Sequence, residues 1–410
     1  MKGEIIAIGD ELTSGRVLNT TSCLAARRLF QLGHDTVIMQ NIGDNPELIG
    51  ETLVKALGRA DFVIVSGGLG STDDDLTTAA VAHALGLETE HNAVLLDSLL
   101  ARHKTIAFDQ HTLSRLTLLP KGAEVLDNEY RMAGYLVYLH SKPVWFLPGV
   151  PSQMEILLET RVIPELQRLA PTLPMQQRIY RTCGLTEMAI NAMLRPLEEE
   201  QGVQIGYYPV GWEVDISLTV RHRQLATLQS LLDKAHDFIV AKLGNNLFGL
   251  GDDSLTMVVG ELLKEKNKRL AVAESCTGGL LSSQITEIAG SSQWFSGGAV
   301  VYSNALKESI LGVSKELLAQ YGAVSEVCAR EMADQALQRF YCDFALAITG
   351  IAGPGGGSTD KPVGTVFVAL AKKDATTIKH LQLHGSRREI QKETTQIALD
   401  MVRRSILTDQ

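Results

Sequence analysis

The segment AESCTGG, residues 273–279, sets Ser275 beside a thiol and ahead of two glycines, and Lys307 follows in VVYSNALKESILGV. A serine at a strand-to-helix turn is presented outward, where the free N–H groups of a first helical turn can stabilise an oxyanion. Thr277 can cap that helix, and Gly278 and Gly279 let a substrate approach the backbone. A serine nucleophile needs a base, and no histidine occurs between Leu255 and Lys379. A lysine can serve if burial lowers its pKa enough to leave it neutral. A capped turn beside a thiol meets the same spacing, and a solvated helix lysine is the ordinary state of that residue, so both readings stay open on residue types alone.

Two further elements offer contacts to an anion. The stretch AITGIAGPGGGSTDKPVGTVFVALA, residues 347–371, puts a glycine-rich loop between two strands. Its N–H groups suit a phosphate, and its composition equally suits a plain turn. Arg387, where the last helix begins, is either a second anion contact or an exposed helix residue. Near the amino terminus, GDE (9–11), IGDN (42–45) and SGGLGSTDDDLT (66–77) each follow a strand-like run. Ligands of open α/β sheets bind outside the carboxyl ends of strands, so these loops converge where a site belongs. Gly67, Gly68 and Gly70 are suited to cradle a phosphate, and Asp44, Asp74 and Asp75 are hard ligands for a divalent cation; a solvated loop with capping aspartates is the alternative.

The elements that must position these residues are legible as alternation. EIIAIG (4–9), DTVIMQNIG (35–43), DFVIVSGG (61–68) and VWFLPG (144–149) are short apolar runs between amphipathic stretches, which predicts a parallel sheet wrapped by helices. PTLPMQQ, 171–177, reads as a linker. Residues 178–250 hold two extended runs, 179–184 and 214–220, and helical runs near 188–200 and 225–243, which predicts a small α+β module. GLGDDS, 249–254, is a second turn or linker, a helix is expected over 255–266, and LAVAES (270–275) and 277–290 read as strand and helix. The expected domains are 1–170, 177–250 and 255–410.

A chain of 410 residues suits two or three cores. A net charge of -9 argues against broad binding of nucleic acid or anionic membrane. Five scattered cysteines without a CxxC pair fit reduced thiols in a cytoplasm, and no apolar run is long enough to span a membrane.

AESCTGG, the segment Gly290–Phe295, VVYSNxxK, GAVSE (322–326) and TGIAGPGGG with KPVGTV resemble the carboxy-terminal domain of the CinA family of competence/damage-inducible proteins. That resemblance implies a nicotinamide mononucleotide deamidase with Ser275 as nucleophile, Lys307 as base, and Tyr302 and Ser292 beside them. It also puts Thr277, Gly278, Thr349, Gly350, Gly353 and Arg387 at the substrate, with no cofactor. Gln391 stands where family members often carry a second arginine. GGLGxTxDDLT and LPGVPxxM (147–154) resemble the MogA-like, molybdopterin-binding fold of the family's first domain. This implies a metal-dependent ADP-ribose pyrophosphatase, with Gly67, Gly68, Gly70 and Thr72 on the nucleotide and Asp10, Asp44, Asp74 and Asp75 on the metal. Ser71, Gln153 and the segment 128–135 depart from the family's usual residues. The middle module resembles its KH-like domain, and the resemblance implies a homodimer. The implied architecture is two α/β domains joined by a small α+β domain. The alternatives are a non-catalytic nucleotide- or molybdopterin-binding protein, and a deamidase whose first domain is inactive.

Overall fold

The structure, a computed structural model, describes residues 1–102, 110–127, 129, 133–170 and 172–408. Part of the 128–135 segment and Pro171 of the expected linker lie outside the described residues. The chain divides into two compact units, residues 1–176 with 221–228, and residues 177–220 with 229–410. The KH-like module therefore clusters mainly with the carboxy-terminal domain.

The first unit is built on a six-stranded sheet. Strands Lys2–Ile8, Asp35–Ile42, Phe62–Ser66 and Lys142–Leu147 pair in parallel, as their apolar runs predict. The sheet is not wholly parallel: Tyr135–Leu139 and Glu124–Val125 extend it antiparallel. A hairpin needs only a tight turn, whereas a parallel neighbour needs a crossover. Alternate side chains feed two cores, Ile6 and Ile8 packing with Ile49 and Leu53 on one face and Ile5 with Ala25 and Leu29 on the other. That is the period-2 consequence of burying both faces of a sheet between helices.

The module that resembles a KH domain, most of which falls in the second unit, has four strands, Met175–Cys183, Val203–Val210, Glu213–Arg221 and Leu247–Leu250, and helices Glu187–Glu198 and Leu225–Leu243. The sequence reading missed two of these strands. Val203–Val210 carries a glycine, a proline and exposed positions that weaken its alternation, and Leu247–Leu250 is short and runs into the polar turn expected over 249–254.

The rest of the unit is a five-stranded sheet in which Phe295–Val300, Leu270–Glu274 and Phe344–Gly350 run parallel, followed by antiparallel Thr365–Lys372 and Ala375–Gln382. One face presents Leu270, Val272, Leu346 and Ile348 to helices Leu255–Glu265 and Arg387–Thr408. The other presents Ala273, Ala345, Ala347, Ala369 and Ala371 to Ala329, Ala333 and Ala336 of helix Glu326–Arg339. Small residues on both partners let that helix lie close against the sheet. Among the described residues no helix is long and apolar enough to cross a membrane.

Candidate active site

Ser275 follows directly on strand Leu270–Glu274, and its N–H donates to Ile348 O of the neighbouring strand at 3.0 Å. The helix expected over 277–290 is shorter, Leu280–Thr286, because residues 276–279 form a turn in which Gly278 (φ +63°) and Gly279 (φ +96°) are both left-handed. A side chain is strained at either position, so the paired glycines are what let the chain double back under the serine.

The cap of this helix corrects the sequence reading. Thr277 makes no cap: its Oγ1 is buried and has no partner among the described residues. Glu274, fully buried, takes the role instead. Its carboxylate accepts from the N–H groups of Gly279, Leu281 and Ser282 at 3.1, 3.1 and 2.8 Å and from Ser282 Oγ at 2.7 Å. A buried carboxylate is tolerated only with such satisfaction, and the helix N-terminus supplies both donors and a favourable dipole. The signal was present as an acid ending an otherwise apolar strand, immediately before the glycine turn. With those amides engaged and Gly278 N–H closed on Ser275 O, the amides left without an acceptor among the described residues are those of Cys276 and Thr277.

Strand Phe295–Val300 ends before Val301, which lies outside the ladder but is anchored by its N–H to Glu274 O at 2.8 Å. Ser303 caps the short helix that follows, and Lys307 opens a π-helical turn that Gly312 ends. Lys307 is thereby turned inward and is 1% exposed. Its Nζ lies 3.0 Å from Ser275 Oγ and 2.8 Å from Val301 O. Burial lowers its pKa below the usual lysine value, offset only in part by the neighbouring thiols of Cys328 and Cys276. Cys276 is also buried, and desolvation pushes its thiol up to about 12.

Thr349 and Gly350 end the strand beside Ser275, with Thr349 Oγ1 donating to Ala323 O at 2.8 Å. Arg387 Nη1 donates to Gly353 O at 2.8 Å and its Nη2 to the Tyr302 hydroxyl at 3.2 Å, tying the glycine-rich loop to the segment before Lys307. Tyr302 is 59% exposed and meets Arg387, which makes it a wall of the site. Gln391, one turn along the helix, donates from Nε2 to Cys276 O at 2.7 Å. Lys361 Nζ, which the sequence reading passed over, holds the glycine-rich loop to Val324 O at 2.7 Å.

Ser292 is not brought to this site within the chain. It is exposed on the turn Ser291–Gln293 that precedes strand Phe295–Val300. Because Leu270 pairs with Phe295 and Glu274 with Val300 in parallel, Ser292 is at the edge where the strands begin and Ser275 at the edge where they end.

In the first unit, Gly68, Gly70, Asp44, Asp74 and Asp75 do line one cleft of about 350 Å³, together with Glu11, Gly149 and Gln153. Gly67 lines it too, but its amide is spent on Leu147 O. Its φ of +101° and a Cβ position only 2.2 Å from Ile8 O make it a backbone requirement. The Thr72 hydroxyl donates to Asp75 Oδ2 at 2.6 Å, so the loop uses it internally. Asp10 and Asp44 bind each other's backbone N–H at 2.9 and 3.1 Å. Burial and the neighbouring carboxylates of Asp10, Glu11 and Asp74 raise the Asp44 pKa. Among the described residues no three acidic, histidine or cysteine side chains gather to hold a metal ion. The expected quartet of Asp10, Asp44, Asp74 and Asp75 is not gathered into a ligand cage as placed: Asp10, Asp44 and Asp75 accept loop hydrogen bonds, and Asp74 lines the cleft.

A modular α/β protein with a buried serine–lysine pair at the carboxyl edge of one sheet and a glycine-lined acidic cleft at that of another is the class these features define. Three family models match in order: "Probable molybdopterin binding domain" over residues 4–168, "Damage-inducible protein CinA KH domain" over 177–249 and "CinA C-terminal domain" over 252–406. CinA-like proteins of Desulfotalea psychrophila and Syntrophus aciditrophicus are 44% and 38% identical, over 99% and 98% of both chains. The chain belongs to the CinA family. A solved competence/damage-inducible protein of Agrobacterium tumefaciens is 41% identical over 37% of this chain and 92% of its own, with a TM-score of 0.36.

Proposed function

We propose that the second unit is an amidohydrolase that converts nicotinamide mononucleotide and water to nicotinate mononucleotide and ammonia. The observation that carries this reading is Lys307 Nζ at 3.0 Å from Ser275 Oγ, in a buried setting that favours the neutral amine. The Ser275 proton passes to Lys307 as Oγ attacks the carboxamide carbon, and the oxyanion is held by the amides of Cys276 and Thr277. Lys307 returns the proton to the departing nitrogen, the C–N bond breaks and ammonia leaves. Water, giving a proton to the same lysine, then attacks the acyl carbon, and Lys307 passes that proton to Ser275 Oγ as the C–Oγ bond breaks and the acid leaves. Val301 O accepts one amine hydrogen, which anchors the Lys307 amine within reach of the serine hydroxyl. Arg387 and the glycine-rich loop supply donors for the substrate's phosphate. The whole-chain assay is ammonia release from nicotinamide mononucleotide. It should vanish in Ser275→Ala with the fold retained, and full activity in that variant sinks the assignment.

A second activity, cleavage of ADP-ribose to AMP and ribose 5-phosphate, is proposed for the first unit. The amides of Gly68 and Gly70, which have no acceptor among the described residues, lie in the lining of the acidic cleft and favour it, since they suit a diphosphate. The acids as placed do not form a metal site, so the divalent-cation requirement is a matter for titration of AMP formation against added cation. Absence of AMP under all cations leaves the first unit a nucleotide- or molybdopterin-binding domain. A role in competence or damage response, suggested by relatives' names, belongs to the same set of proposals, as do a cytoplasmic homodimer and action on free nucleotides away from nucleic acid and membrane.

A further inference from the structure

We infer that Gln391 is a positioning residue that sets the Thr277 amide as an oxyanion donor, an inference that rests on the serine amidohydrolase reading above. Gln391 Nε2 donates to Cys276 O at 2.7 Å. The opposite rotation of its amide would set two oxygens against each other, so the donor assignment is forced. In a trans peptide the carbonyl and the following N–H point to opposite sides of one plane. Holding Cys276 O on the Gln391 side therefore turns Thr277 N–H away from the helix, and the hydrogen bond polarises that N–H.

Three other facts converge on this peptide. Thr277 N–H has no acceptor among the described residues, while its neighbours Gly278, Gly279, Leu281 and Ser282 are all engaged. Thr277 is 3% exposed, and its Oγ1 is buried without a partner, so this residue holds a second unused donor in the same turn. Gln391 is also one helical turn after Arg387, so the two share a face. Arg387 fixes the loop and Tyr302, and Gln391 fixes the turn behind the nucleophile.

The test compares wild type with Gln391→Glu, which is isosteric but sets a carboxylate against the Cys276 carbonyl, with Gln391→Leu, which only removes the donor, and with Gln391→Arg, which restores N–H groups. Labelling of Ser275 by a fluorophosphonate reads oxyanion stabilisation without any substrate, and ammonia release with its kcat and KM is measured in parallel. Expected are labelling rates and kcat lower by about 10- to 100-fold in the first two variants, KM little changed, and recovery in Gln391→Arg. Wild-type labelling rates in both Gln391→Glu and Gln391→Leu overturn the inference, as does a rise in KM at constant kcat, which marks a substrate contact. If wild type labels, the variants label slowly and no nicotinamide nucleotide releases ammonia, Gln391 keeps this role and the deamidase reading is what fails.

Discussion

Lys307 Nζ bridges Ser275 Oγ and Val301 O, at 3.0 and 2.8 Å, with the lysine 1% exposed. Lys307→Met keeps the buried stem and removes the amine. Loss of a positioned general base costs about 10²- to 10⁴-fold in kcat. The variant should lose ammonia release on that scale with an intact circular dichroism spectrum, and near-normal turnover would remove the lysine from the mechanism.

The pH dependence has a definite sign. Burial lowers the Lys307 pKa, so the active neutral amine forms at lower pH than in a free lysine, and kcat/KM should rise with pH through the depressed value and then level. For stability, the unfolded chain binds this proton up to the ordinary lysine pKa while the folded chain releases it earlier. Folding is therefore penalised below the depressed value, and stability rises with pH between the two. Denaturant midpoints for wild type should climb across that alkaline window relative to Lys307→Met. Parallel profiles would show that the amine is not desolvated.

Cys276 competes with Ser275 for the role of nucleophile by adjacency alone. Burial pushes its thiol up to about 12, so almost no thiolate exists at neutral pH. Cys276→Ala should retain activity within a few-fold, and iodoacetamide should leave the native enzyme active. Inactivation by the alkylator at pH 7, with Cys276 modified, would reverse the order of the two residues.

Glu274 accepts four hydrogen bonds at the start of helix Leu280–Thr286. Glu274→Ala strands those donors, and the loss should be on the order of 2 kcal/mol or more, by analogy with cap removal and buried unsatisfied groups. Urea midpoints measure it. Unchanged midpoints would mean that water replaces the carboxylate at no cost.

In the first unit, burial and the charges of Asp10, Glu11 and Asp74 raise the Asp44 pKa. Its ionised form therefore penalises the fold fully above the raised value, and the penalty fades as pH falls from there to the ordinary aspartate range and is gone below it. Asp44→Asn should unfold at a higher temperature than wild type at pH 7, with the gap closing in acid. A variant less stable at pH 7 would show that the carboxylate's bond to Asp10 N–H outweighs the repulsion.

Legibility followed the range of each interaction. The parallel strands around Ile5, Ile64 and Trp145, the strand–turn of Leu270–Ser275 and the start of the last helix at Arg387 were readable because apolar period and glycine placement are local signals. The antiparallel strand Tyr135–Leu139 was not read: its pairing is decided by which neighbour the hairpin leaves free.

The residue types of the serine–lysine site, its place at a strand end and the lack of a nearby histidine were fixed by sequence, since they are matters of composition and spacing. Which groups meet was settled only by tertiary packing. The parallel register sent Ser292 to the far edge, the buried Glu274 took the cap from Thr277, and the helix at Arg387 brought Gln391 to Cys276 across 115 residues. A buried polar group must find whichever partner the folded chain places within reach, and that choice is not encoded in any one segment.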